Sequence, residues 1–115
     1  MTVGYRGTIL TSSDGIFSWT ERNSGTSEYL IGVTYGNGLF VTVGWSGTIL
    51  TSTDGIYWTK RTSGISKYLE GITYGNGLCV TVGNKGTILT SSDGISWTQR
   101  TSGTSDSLVG VTYSQ

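Results

Sequence analysis

The stretch Thr90-Ser91-Ser92-Asp93-Gly94-Ile95-Ser96-Trp97 has two near-copies, Thr51-Ser52-Thr53-Asp54-Gly55-Ile56-Tyr57-Trp58 and Thr11-Ser12-Ser13-Asp14-Gly15-Ile16-Phe17-Ser18-Trp19. Their aspartates follow one another at intervals of 40 and 39 residues. That period suits one four-stranded blade of a β-propeller, whereas stacked single-turn solenoids repeat at roughly 20–30 residues. In each copy Asp-Gly is a turn former, and the Trp that follows is a large apolar body able to fill the gap between two sheets.

Working outward from Asp93, residues 67–74 are rich in aromatic and β-branched types and predict an inner strand A. Gly75-Asn76-Gly77 supplies the positive-φ positions of a tight hairpin into strand B, residues 78–83. Asn84-Lys85-Gly86 is a short loop into strand C, residues 87–91. After the Asp93-Gly94 turn, residues 96–100 read as strand D, followed by the Ser/Gly/Thr-rich connector 101–105. Strands A to C carry dense apolar stretches rather than clean alternation, as expected when both faces of a sheet are covered. The same pattern places strand A at 28–35 and 107–113, and strand B at 1–4 and 39–44.

The expected fold is therefore all-β: a β-propeller of four-stranded antiparallel blades, three per chain, in repeats of about 1–40, 41–79 and 80–115. The A–B hairpin of one blade is split between the chain termini. Strand A of one chain would pair with strand B of the next, so closure by oligomerisation is expected. Two chains give six blades, within the usual range, so a homodimer is expected, with a nine-bladed homotrimer as the alternative. A piece excised from a longer propeller would expose the same edges.

Composition narrows the function classes. Seven Lys and Arg balance seven Asp and Glu over 115 residues, without a local basic run, so neither nucleic acid nor an anionic membrane is an expected partner. The chain shows no signal-peptide pattern and no apolar run of the roughly 20 residues that span a bilayer, and nothing in it names a compartment. Histidine is absent, which removes Ser-His-Asp and Cys-His catalysis and His-based zinc sites. Cys79 is the only cysteine and reads as a small buried thiol. One carboxylate per blade is too few for calcium, so Asp14, Asp54 and Asp93 read as structural, together with Trp19, Trp58 and Trp97. No metal or cofactor is expected.

With Ser-x-Asp-Gly-x-x-Trp placed on a C–D turn, the chain resembles the Asp-box, or bacterial-neuraminidase-repeat, propellers. The wider pattern Gly-Val-Thr-Tyr-Gly-Asn-Gly-Leu-Phe-Val-Thr-Val-Gly is similar to the repeats of photosystem II assembly-factor-like propellers. The resemblance implies a fold shared by sialidases, sorting receptors, assembly factors and lectin-like proteins. Two departures bear on it. Asp and Gly are adjacent here, whereas one residue separates them in the sialidase box, and Arg22, Arg61 and Arg100 fall at the outer ends of strand D rather than at a central mouth. Sialidase activity is thus not inherited, and no enzyme is expected.

Function is expected where the repeats differ: the B–C loops (Tyr5-Arg6, Trp45-Ser46, Asn84-Lys85), the D–A connectors (Glu28-Tyr29, Lys67-Tyr68, Asp106-Ser107) and the strand A positions Ile31, Glu70 and Val109. Tyr5, Arg6, Tyr29, Trp45, Tyr68, Glu70 and Lys85 are the candidate ligand-binding residues, combining aromatic faces with polar neighbours in the manner of a sugar site. The leading expectation is a non-catalytic, lectin-like glycan-binding module. The alternatives are a protein-binding or structural assembly scaffold, and an engineered or reconstructed propeller fragment with no natural ligand. Trp45 is expected to be either a ligand platform or core.

Overall fold

Asn76 and Gly77 adopt φ of 52° and 76°, and Asn37 and Gly38 adopt 53° and 77°, the mirror-image turn that Asn-Gly favours and that matches the twist of the strands it joins. These hairpins organise the computed structural model, which describes residues 1–12, 15 and 19–112. The described residues form an all-β chain of eleven strands in three antiparallel sheets. The first sheet holds β1 (Thr2–Val3), β2 (Ile9–Thr11) and β3 (Thr20–Arg22). The second holds β4 (Leu30–Gly36), β5 (Leu39–Gly44), β6 (Ile49–Ser52) and β7 (Thr59–Arg61). The third holds β8 (Leu69–Gly75), β9 (Leu78–Gly83), β10 (Thr87–Ser91) and β11 (Thr98–Arg100). In every sheet sequential strands are neighbours, so each is a simple meander.

Strand A, expected at 28–35 and 67–74, runs over Leu30–Gly36 and Leu69–Gly75, and two further expectations need correction. Strand D was expected to begin at Ser96, but β11 begins at Thr98 because the Asp93 carboxylate accepts hydrogen bonds from the backbone of Ile95 and Ser96, which holds both in the turn. Residues 107–112, expected as part of a third strand A, form no strand. Leu108 N donates to Gly83 O at 2.9 Å, as Leu30 N does to Gly4 O, so the segment enters alongside the third sheet. It then has no strand B beside it within the described residues to complete a ladder. Tyr113, the last residue of that expected strand, lies outside the described residues.

Alternation along the middle sheet decides which neighbour each side chain meets. Leu50 packs with Ile9 and Leu30, with Met1, Val3 and Trp58 around them, and so faces the first sheet. Its neighbour Ile49 joins Val41, Val43, Leu69, Cys79 and Leu89, with Trp97 at the margin, and so faces the third. All four residues of β6 are buried, as a strand covered on both sides requires. Buried Cys79 lies in this second cluster, and burial raises the pKa of its thiol. Trp19, the counterpart of Trp58 and Trp97, is 43 % exposed.

The strands β4 and β8, each at one edge of its sheet, approach closely at glycine: a Cβ on Gly32 would stand 3.3 Å from the Ile72 side chain. Both strands carry a bulge there. The register shifts between Leu30 and Gly32 and between Leu69 and Gly71, leaving Ile31 and Glu70 without ladder partners. The bulge carbonyls are satisfied by fully buried hydroxyls, Thr42 Oγ1 donating to Gly32 O at 2.8 Å and Thr81 Oγ1 to Gly71 O at 2.7 Å.

Candidate functional site

At the end of the sheets opposite the Asp-Gly turns, each B–C connection is a single turn of 3-10 helix, Tyr5–Gly7, Trp45–Gly47 and Asn84–Gly86. The middle and last residues of each turn have positive φ: Arg6 57° and Gly7 75°, Ser46 60° and Gly47 68°, Lys85 56° and Gly86 74°. A threonine closes each turn, its Oγ1 donating to the carbonyl of Tyr5, Trp45 or Asn84 at 2.7 Å. The incoming connector is tied to the same turn, for Trp45 N donates to Tyr29 O and Asn84 N to Tyr68 O, both at 2.9 Å. The variable residues of loop and connector are thereby brought side by side.

The consequence is a continuous run of four rings crossing from one sheet to the next. Tyr5 meets Tyr29 edge-on at 5.4 Å, Tyr29 meets Trp45 at 5.2 Å, and Trp45 stacks on Tyr68 at 4.8 Å with 7° between the planes. All separations lie within the range in which aromatic pairs attract. The Arg6 guanidinium sits over the Tyr5 ring at 5.5 Å. Glu28 accepts a hydrogen bond from Ser46 Oγ at 3.2 Å. In the third repeat the aromatic pair is replaced by a polar one, Ser107 Oγ donating to Asn84 Oδ1. A cleft of about 350 Å³ at the start of the run is lined by Tyr5, Arg6, Ser27, Glu28, Tyr29 and Trp45. Tyr5 is 61 % exposed there, whereas Trp45 is half-buried between its two neighbours and serves the packing of the run as well as the cleft.

Of the residues expected at a site, Tyr5, Arg6, Tyr29 and Trp45 thus converge, and Tyr68 extends their array. Lys85 does not join them: it lines a separate cleft with Arg100. Glu70 does not either, because it occupies the β8 bulge. Residues not expected at a site are Arg22, Arg61 and Arg100, whose Nε atoms donate to Thr11, Thr51 and Thr90 at 2.8–2.9 Å and which line clefts between the connectors and the sheet edges. Their recurrence once per repeat is the signal that could have found them.

The Asp-Gly turns at the other end are internally satisfied. Asp54 Oδ1 accepts from Ile56 N at 2.8 Å, Tyr57 N at 3.0 Å and Ser52 Oγ at 3.0 Å, while Trp58 Nε1 donates to Gly55 O at 3.1 Å. Asp93 repeats this with Ile95, Ser96 and Ser91, and Trp97 Nε1 donates to Gly94 O. Asp14 lies outside the described residues. Among the described residues no group of three or more His, Cys, Asp and Glu could hold a metal ion, and no helix is long and apolar enough to cross a membrane.

Backbone N–H donors, with the serine hydroxyl adding to them, hold both carboxyls below their ordinary pKa of 3.8. A depressed folded-state pKa means that the stabilisation is complete above the unfolded value and is lost as pH falls through the folded one. The melting temperature of the wild-type protein is therefore expected to drop between about pH 5 and about pH 2 by more than that of D54N/D93N, whose turns no longer titrate. Equal drops in thermal melts across this range would show that the two turns do not couple folding to protonation.

No protein-family model matches the chain, and a search of curated proteins finds no match either.

Proposed function

We propose that the chain is a non-catalytic, Asp-box-type β-propeller module that binds glycans at the loop end of its sheets. The observation carrying this reading is the cleft of Tyr5, Arg6, Ser27, Glu28, Tyr29 and Trp45. Aromatic walls favour the apolar face of a sugar ring, and the charged and hydroxyl groups beside them suit its hydroxyls. The non-catalytic part of the reading is supported by the missing histidine and by the commitment of Asp54 and Asp93 to their own turns. A glycan array is the test: binding of at least one glycan is expected, lost in Tyr5→Ala, with an unchanged melting temperature because Tyr5 is exposed. Silence across the array, or binding indifferent to Tyr5→Ala, would sink the assignment.

A protein-binding scaffold is the second reading. It is favoured by exposed apolar groups near the Asp-Gly turns, where Tyr57 is 79 %, Ile56 40 % and Ile95 47 % exposed. In either case we propose a six-bladed ring of two chains. Trp58 and Trp97 pack against the core between sheets, and a second copy's sheet would cover Trp19 in the same way. Light scattering after size exclusion is expected to give the mass of two subunits; a monomer would refute closure, and three subunits would mean nine blades.

A further inference from the structure

All seven Lys and Arg residues of the chain line three clefts that recur with the repeat. Each lies between a 3-10 turn, the outer end of a sheet's last strand and the connector that follows. The first, of about 410 Å³, holds Arg6 and Arg22 with Glu21. The second, about 840 Å³, holds Lys60, Arg61 and Lys67 and no acid. The third, about 530 Å³, holds Lys85 and Arg100, again without an acid. Strand register separates Arg61 from the turn carboxylate of its own repeat, for Arg61 is opposite Ile49 at one end of β6 while Asp54 follows Ser52 at the other; Arg22, by contrast, also shares a cleft with Asp54.

The arginines are held ready. Each uses Nε to hold a threonine hydroxyl, and its side chain makes no other hydrogen bond among the described residues, so the terminal guanidinium nitrogens remain available. None of the seven cations forms an ion pair with a described residue. A pinned guanidinium with two free amino groups presents the fork that carboxylates and sulfates accept in bidentate fashion. Around it the rims are hydroxyl- and amide-bearing, Thr62, Ser66 and Gln99 in the second cleft and Thr101 in the third. No aromatic residue lines any of the three clefts, which leaves single-stranded nucleic acid without the stacking platform it ordinarily needs.

We infer that these repeat-related clefts, the second above all, bind the anionic groups of an acidic polysaccharide, its carboxylates or sulfate esters, with successive clefts engaging successive charges along one chain. The inference rests on the glycan-binding reading and names the class of glycan: Arg6 lines both the aromatic cleft and the first basic cleft, so one chain would stack a ring at Tyr5 while its charges meet the cations. Several weak clefts on one rigid body would add by avidity.

The test measures binding of the full chain to immobilised heparin, polygalacturonate, neutral dextran and single-stranded DNA over a series of salt concentrations. Binding to heparin, to polygalacturonate or to both, but not to dextran, is expected, and the arm that binds distinguishes sulfate from carboxylate. K60Q/K67Q should weaken it at least tenfold and lower the slope of log K against log salt by about 2, roughly one per cation removed. K60R/K67R should retain it. Acidic-glycan affinity unchanged in K60Q/K67Q would overturn the assignment to the clefts. Neutral glycans bound while both acidic ones are not would overturn this inference alone, and no glycan bound at all would remove the parent reading with it. DNA bound as tightly as heparin at equal salt would replace the polysaccharide by a nucleic acid.

Discussion

Leu69→Ala is expected to destabilise the protein by about 3–4 kcal/mol, within the span of roughly 2–5 kcal/mol seen when a buried leucine is truncated. Leu69 is fully buried at the start of β8, in the cluster that joins the second and third sheets through Val41, Val43, Ile49, Cys79 and Leu89. Neighbours on two sheets cannot both collapse into the space left by the side chain, because each is fixed by its own ladder. The penalty therefore combines lost burial with a retained cavity. Urea denaturation measures it, with Leu78→Ala as the control, since Leu78 is 40 % exposed and should change stability by less than about 1 kcal/mol. Leu69 also directly follows Tyr68, so the near-ultraviolet circular dichroism of the Trp45–Tyr68 stack reads whether the connector stays in place. Similar losses for the two variants would mean that the sheets are not joined through this cluster.

Gly47→Ala is expected to cost about 3 kcal/mol, although it adds one methyl group. Part of the cost, about 1 kcal/mol, comes from placing a Cβ at a φ of +68°. The rest comes from contact, since the new Cβ would run into the carbonyl of Ile65 and stand 2.8 Å from Ser63 Oγ, forcing the connector away from the turn. Gly64→Ala separates the two contributions: Gly64 has φ of +81° but nothing within 4 Å of its hypothetical Cβ, so it should show the backbone cost alone. Thermal and urea unfolding of both variants gives the difference. If the two substitutions cost the same, the close approach of connector and turn contributes nothing to stability. The displaced connector carries Lys67 and Tyr68, so Gly47→Ala should also disturb the ring run.

The parts of the fold legible in sequence are those that a single residue type dictates locally. Asn37-Gly38 and Asn76-Gly77 specify hairpins because few residues accept positive φ, and the predicted bounds of β5, β9 and β10 coincide with the observed ones. The start of β11 was misplaced because the reach of the Asp93 carboxylate, through Ser96, depends on side-chain hydrogen bonds that strand propensity does not describe. At the candidate site, Tyr5, Tyr29, Trp45 and Tyr68 were each identifiable as variable aromatics. Their contiguity was not, since it depends on the spacing between sheets. The basic clefts were missed for a related reason. A search for adjacent cations finds only the pair Lys60-Arg61, because Arg22, Arg61 and Arg100 are a full repeat apart in sequence and Arg6, Lys67 and Lys85 join them only through folding.

The bulges of β4 and β8 set aside one residue in each of these two strands, Ile31 and Glu70, from strand pairing, while Thr42 and Thr81 bind the carbonyl next along the chain. A side chain whose backbone is outside the ladder can change from aliphatic to acidic without shifting a register. The repeats can therefore diverge at that position independently of one another. A lineage that copied this unit would inherit a place to vary one edge of each sheet at little cost to folding.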